Sequence, residues 1–244
     1  MKRGIIFFLL SVTVLAGSGQ NKVLVITPHP DDAEASCGGY IANATSAGDT
    51  VIILTMTGGE YGIGGKAPAE AAAIRKNEAI NGAAILHAKV EFFGASDAFL
   101  FVDTTSSARL ATVIEKIHPS IVLAPWPLDV HNDHQATGML AWRVFQDRRF
   151  SFRLFFYETL NEPHTTSFAF RPTVYVDITN VSDTKKKAVM AHVSQNPAGW
   201  YNMYEVMAIF RGYEADVKMA EGYIEATNSS GMGGRENKVQ KTLN

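Results

Sequence analysis

Four short runs in the first half of the chain are almost continuously apolar and rich in β-branched or aromatic residues: KVLVIT at 22–27, DTVIILTMT at 49–57, VEFFG at 90–94 and SIVLAPW at 120–126. A strand with one face in water alternates apolar and polar residues, so runs like these describe strands covered on both faces. The intervals between them have helical length. Residues 34–47 end in Ala47-Gly48, a helix stop, and residues 69–86 are rich in alanine with Pro68 near their start. Residues 107–117 and 134–146 supply two further helices. Strand and helix in this alternation predict an α/β fold: a Rossmann-like open, mostly parallel sheet with right-handed crossovers and helices on both faces. Beyond Phe150, RLFFYET and TVYVDIT read as strands and Lys185–Ser194 as a helix.

The 244 residues suit one domain, and 46% hydrophobic residues against 19% charged ones provide a core and argue against disorder. A formal charge of −2, with no basic stripe and no Lys/Arg-rich amphipathic helix, disfavours nucleic acid and membrane surfaces as partners. The N-terminus reads differently from the rest. Lys2 and Arg3 precede an apolar stretch from Gly4 to Ala16, followed by AGSGQ, the order of a secretory signal peptide. A membrane span needs about 20 apolar residues, so residues 1–18 are expected to be a cleaved signal, leaving a secreted or periplasmic protein without a stable membrane span. Residues 20–227 form the expected domain, and 228–244 a polar, Gly-rich tail. The single Cys37 has no intrachain partner for a disulfide.

Charge is concentrated where the first strand ends. VITPHPDDAE places His29, Asp31 and Asp32 directly beyond an apolar strand, and ligands of open parallel sheets bind outside the carboxyl ends of strands. A helix cap explains one carboxylate. It does not explain a histidine and adjacent aspartates, whose desolvation is costly unless they are paired or bound to a cation. PWPLDVHNDH follows the strand SIVLA and brings Asp129, His131, Asp133 and His134 to a second strand end. His87, His118 and His164 read as loop, surface or capping residues, and His192 receives no chemistry. The glycines of TGGEYGIGG lack the Lys-Ser/Thr ending of a phosphate loop and do not follow the first strand, which disfavours a nucleotide-binding enzyme.

PHPDDAE and PLDVHNDH together resemble the paired signatures of the PIG-L/LmbE-like de-N-acetylases, metal-dependent hydrolases of N-acetylglucosamine-type substrates. TGGEYG, RKNE, FFGASDAFL and KKKAVMAHVSQ resemble further family segments in order, so the likeness runs from about Lys22 to Gln195. The resemblance implies a zinc site, or one for another divalent transition metal, of His29, Asp32 and His134. It implies Asp31 as general base and His131 as acid or electrostatic partner. Asp133 is then a candidate to hold the His131 imidazole, with Asp129 as its rival. Zinc lowers the pKa of a coordinated water towards about 7 and polarises an amide carbonyl, while a carboxylate beside the ligands accepts the proton.

Glu60, Arg75 and Asp97 match family positions that hold sugar hydroxyls; the plainer readings are an Arg75–Glu78 pair, a solvated Glu60 and a turn at Asp97. Trp126, Trp200, Tyr201 and Tyr204 form either a platform for a sugar ring or part of the core. The function implied is removal of an acetyl group from the amide nitrogen of an N-acetylated sugar or glycoconjugate. A non-catalytic metal- or carbohydrate-binding protein and an amidase for non-sugar N-acyl substrates are the alternatives.

Overall fold

Strand β1 (Lys22–Thr27) lies inside a seven-stranded sheet, between β2 (Thr50–Thr57) and β4 (Ile121–Pro125). The computed structural model describes residues 20–147, 149–161 and 167–227. The expected leader at 1–18, the tail at 228–244 and His164 lie outside the described residues. Val23, Leu24, Val25 and Ile26 of β1 are all fully buried. Successive side chains leave a strand on opposite faces, and the core divides accordingly. Leu24 and Ile26 join Leu110 and Ile114 of α3 (Thr104–Ile117) and Leu140 and Val144 of α4 (Asn132–Phe145). Val23 and Val25 pack on the other face with Ala33, Cys37 and Ile41 of α1 (Asp32–Ser46) and Ala83 of α2 (Pro68–Ile85). The continuous apolar run is the signature of this double coverage.

The strand order is β3-β2-β1-β4-β5-β7-β6, with β3 spanning Lys89–Ala95, β5 Arg153–Tyr157, β6 Val174–Asp177 and β7 Ala220–Glu225. The first five strands are parallel, and β7 runs antiparallel to both β5 and β6. This is the mostly parallel α/β sheet expected. The expected helix at Lys185–Ser194 is α5 (Ser182–Met190) followed by a 3₁₀ turn at Val193–Gln195. Three elements had no counterpart among the sequence expectations: a 3₁₀ turn at Pro197–Gly199, α6 (Asn202–Ala215) and β7 itself.

One glycine matters for the site. A Cβ on Gly138 of α4 would lie 2.4 Å from the Pro125 carbonyl oxygen, so only glycine lets α4 close onto the end of β4. No helix among the described residues is long and apolar enough to cross a membrane.

Candidate active site

Strands β1 and β4 are parallel neighbours, and the connections leave them in opposite directions across the sheet. Their carboxyl ends therefore open a crevice at the point where the strand order reverses. PHPDD leaves β1 and LDVHNDH leaves β4, so the two segments meet across that crevice. Each segment also starts a helix. Asp31 stands at the start of α1 with φ 119°, a conformation strained for any residue with a side chain. His131 caps α4, its Nδ1 accepting the Asp133 backbone N–H at 3.2 Å.

Asp32, His29 and His134 converge. Asp32 Oδ2 lies 3.2 Å from His29 Nδ1 and 3.4 Å from His134 Nε2. Ligand atoms about 2.0–2.2 Å from a tetrahedral zinc are roughly 3.3–3.5 Å apart, so each of these two separations is close to one edge of such a site. The remaining ring nitrogens face acceptors. His29 Nε2 lies 3.2 Å from both Asp97 Oδ1 and Asp133 Oδ2. His134 Nδ1 lies 3.2 Å from Thr159 Oγ1 and 3.3 Å from Asp129 Oδ2. Carboxylates behind metal-binding histidines set the tautomer and orient the ring. A second trio is also present: ligand atoms of His29, His131 and His134 lie within 4.8 Å of one another. His131 Nδ1, however, is already engaged by its own helix.

The electrostatics follow from burial opposed by close contacts. Burial lowers the affinity of the His29 imidazole for a proton, but Asp133, Asp32 and Asp97 outweigh it and raise the pKa well above its ordinary value. His134 is raised to about 9 against the same burial, by Asp32 and Asp129. Burial pushes the Asp32 carboxyl up, yet His134 and His29 hold it well below the usual range. His131 goes the other way: burial, then the neighbouring His29 and His134, lowers its pKa. Burial raises Asp31 to about 6, with the Asp32 charge adding to the rise and Arg75 opposing it.

Adjacent aspartates thus face different partners. Asp32 turns to the histidines, whereas Asp31 Oδ2 accepts from Arg75 Nη2 at 3.2 Å. Arg75 is 5% exposed and also donates to the carbonyls of Pro30 at 2.7 Å and Gly59 at 3.2 Å. It therefore supports the base as well as facing the cleft, and its sequence neighbour Glu78 binds Ser194 instead.

The support roles expected for two carboxylates differ in the structure. Neither Asp133 nor Asp129 holds the His131 ring. The Asp133 carboxylate, fully buried, lies against His29 and accepts the backbone N–H groups of Ala98 at 2.7 Å and Leu100 at 3.2 Å. Asp129 serves the His134 ring and accepts the His131 backbone N–H at 2.8 Å. The cap is the physical reason: once His131 Nδ1 accepts its own helix amide, neither carboxylate has that nitrogen to bind.

Glu60, expected among the sugar-binding residues, instead accepts from Ser96 Oγ and the Asp97 backbone N–H, both at 2.9 Å, and is absent from the cleft lining. Its carboxylate fastens the loop after β2 to the turn after β3. Asp97 does line the cleft. Burial raises its carboxyl, but bonds from His29 and the Tyr61 N–H bring it down to about 2.

The cleft has a volume of about 420 Å³, within the range of small-molecule sites. Asp31, Asp32, Arg75, Asp97, His131 and His134 line it. Leu160, Gln195, Trp200, Met203 and Tyr204 also line it. Trp200 and Tyr204 are thus in the cleft wall, Tyr201 is buried in a small cluster with Leu160 and Val189, and Trp126 packs on Phe156 and Phe170 away from the lining. Sequence reasoning missed Leu160, Gln195 and Met203. Only the HVSQ segment carried a hint, because Gln195 closes it.

The profile of the family described as PIG-L, GlcNAc-PI de-N-acetylase, matches residues 24–145. The diacetylchitobiose deacetylase of Thermococcus kodakarensis is 31% identical over 217 residues, which cover 82% of this chain and 81% of that protein. The 4-oxalmesaconate hydratase of Pseudomonas putida is 29% identical over 216 residues, 80% of this chain and 81% of that protein. The structure of the N,N'-diacetylchitobiose deacetylase of Pyrococcus horikoshii in complex with its inhibitor superposes with a TM-score of 0.76 at 28% identity, covering 84% of each chain. With its sheet, its paired strand-end motifs and these likenesses, the chain belongs to the PIG-L family of de-N-acetylases.

Proposed function

We propose that this protein is a zinc-dependent N-deacetylase that removes the acetyl group from an N-acetylated amino sugar. The observation that carries the reading is the division between neighbours: Asp32 spans His29 and His134 at 3.2 and 3.4 Å, while Asp31 faces Arg75. His29, Asp32 and His134 would hold the zinc, which supplies Lewis acidity at the amide carbonyl. Asp31 takes the proton from the attacking water and returns it to the amide nitrogen as the C–N bond breaks, so that the amino sugar and acetate leave. A carboxyl at about 6 is ionised at neutral pH and still basic enough for that transfer. His131 Nδ1 accepts a backbone N–H, which leaves its proton on Nε2, and its lowered pKa keeps the ring neutral. Nε2–H then donates to the oxygen of the tetrahedral intermediate, as a donor held in place before charge develops. Asp97 and Arg75 remain beside the cleft to meet sugar hydroxyls. The signal-like order at 1–18, Lys2 and Arg3 before an apolar stretch and small residues, supports export of the protein, with action outside the cytoplasm.

Hydration of an unsaturated acid is a second reading, favoured by the likeness to the hydratase. The cleft lining opposes it. Among the described lining residues Arg75 is the only lysine or arginine, against Asp31, Asp32 and Asp97. One guanidinium and a divalent ion balance three carboxylates, which suits a neutral amide and leaves no excess positive charge for an anionic acid.

The test is acetate release from N-acetylglucosamine and N,N'-diacetylchitobiose by zinc-loaded and chelator-treated protein. Release that depends on zinc is expected. Hydration of an unsaturated acid with no acetate release from either sugar would overturn the reading.

A further inference from the structure

The residues matched by the family profile end at 145, but the groups around His134 do not. Segment 158–161 follows β5 and passes behind the His134 ring, and each of its four residues has a fixed partner. Glu158 and Arg211 of α6, both buried, form a two-pronged ion pair, with Nε 2.8 Å from Oε1 and Nη2 2.9 Å from Oε2. The Tyr204 hydroxyl accepts the Leu160 backbone N–H at 2.9 Å and donates to the Leu160 carbonyl at 3.3 Å. Tyr204 and Arg211 stand about two turns apart on α6. One helix thus grips the segment on both sides of Thr159.

Thr159 and Asn161 contact the site instead. Thr159 is 1% exposed; its Oγ1 is hydrogen-bonded to Asp129 Oδ2 and lies 3.2 Å from His134 Nδ1. Asp129 Oδ1 accepts from Asn161 Nδ2 at 3.0 Å and from the His131 backbone N–H at 2.8 Å, which favours the ionised carboxylate. An ionised carboxylate only accepts, and a hydroxyl has one proton to give. Thr159 therefore donates to Asp129 and accepts from His134 Nδ1–H. That leaves Nε2 of His134, 3.4 Å from Asp32 Oδ2, without a proton and turned to the metal position. The Thr159 backbone has little play, because Ser167 Oγ accepts its N–H at 3.4 Å and donates to its carbonyl at 3.2 Å.

We propose that Thr159 is a positioning residue for His134, and that α6 sets its place through Arg211 and Tyr204. This rests on the reading of His29, Asp32 and His134 as the zinc site, and it carries the support of that site beyond the residues that the family profile matches. The hydroxyl offers the lone pair that aims the ring. Arg211 is absent from the cleft lining and bonds only carboxylates, Glu158 and Glu214, so its influence on the metal passes through segment 158–161.

The experiment measures zinc affinity by competition with a chromogenic chelator, beside melting curves of the metal-free proteins. Thr159→Val keeps the shape and loses the hydroxyl; it should bind zinc about 10- to 100-fold more weakly, and Thr159→Ser should return to within about threefold of wild type. A threonine that only packs gives the reverse order, with Thr159→Val like wild type and Thr159→Ser impaired, and that order overturns the proposal. If Thr159→Val does not fold, Thr159→Ala takes its place with the same expected loss.

Arg211→Lys keeps the charge without the planar fork. It should weaken zinc binding by about three- to tenfold in the wild-type background and add nothing to Thr159→Val, as for two residues acting through one contact. No effect, or an additive one, overturns the role of α6. Wild-type protein that binds no zinc overturns the metal site and the proposal together, whereas wild-type binding left unchanged in Thr159→Val overturns the proposal alone.

Discussion

Arg75 Nη2 donates to the Asp31 carboxylate at 3.2 Å and to the carbonyl of the preceding residue, Pro30, at 2.7 Å. One buried guanidinium therefore holds both the functional group of the base and the backbone that carries it. This explains how Asp31 stays at φ 119°: the strain is opposed by an anchor that the rest of α2 keeps in position. A base positioned this way is set before substrate arrives.

Asp31→Asn keeps the shape of the side chain and its tolerance of positive φ but cannot accept a proton. Turnover on an accepted N-acetyl sugar should fall about 10²- to 10⁴-fold, chiefly in kcat, with metal content unchanged. Metal analysis beside steady-state kinetics checks it. Loss of metal equal to that of Asp32→Asn would show that the neighbours do not divide the work.

Arg75→Met removes the positive charge that lowers the Asp31 carboxyl. The Asp31 pKa should rise, so the acid limb of the kcat/KM profile should move to higher pH, with more activity lost at pH 6 than at pH 8. Arg75→Lys should restore the position of the limb in part, since it keeps the charge without the planar fork. A limb that does not move in Arg75→Met would show that another group sets it.

Asp133→Asn removes the charged acceptor behind His29 without touching the ligand set. Metal affinity should fall roughly 10- to 100-fold, measured by competition with a chromogenic chelator. His29→Ala, Asp32→Ala or His134→Ala should instead abolish stoichiometric binding. Full occupancy in any of those three would remove that residue from the set.

Protons compete with the metal. The folded-state pKa of His134 is about 9, above the ordinary 6.5, and that of His29 is raised too. A group whose pKa rises on folding contributes stability that is complete below its unfolded value and lost as pH passes the folded one. The metal-free protein should therefore lose thermal stability between about pH 6.5 and pH 9. The zinc-loaded protein should not follow that decline, because ligand nitrogens are deprotonated throughout. Parallel melting curves with and without chelator test this.

The centre of the fold was legible because β1, β2 and β4 are buried on both faces and so advertise themselves as unbroken apolar runs. The late elements were not. β7 reads AEGYIE, and its buried Glu221 meets Lys185 of α5 at 2.7 Å and accepts the backbone N–H groups of Gly39 and Tyr40 and the Tyr223 hydroxyl. A lysine within KKK and a glutamate beside glycine look solvated until the pair is seen. In α6 the apolar residues point both ways, with Tyr204 and Ala208 inward and Val206, Ile209, Phe210 and Tyr213 outward, which erases the amphipathic period. Within the site, the clustering of histidines and carboxylates was visible as spacing. Which carboxylate supports which ring was not, because the His131 cap decides it through one backbone hydrogen bond.

The pairing of β1 with β4 has a kinetic consequence. His29 and Asp32 stand about a hundred positions before His134, and the three meet only when those two strands have zipped together across three intervening crossovers. Until then a metal ion finds no preassembled set of ligands, so its binding energy is absent from most of the climb to the folding barrier. Zinc should leave the refolding rate almost unchanged and slow unfolding instead, as expected for contacts completed after the transition state. The ion would act as a latch on the finished sheet, setting how long each molecule survives once made.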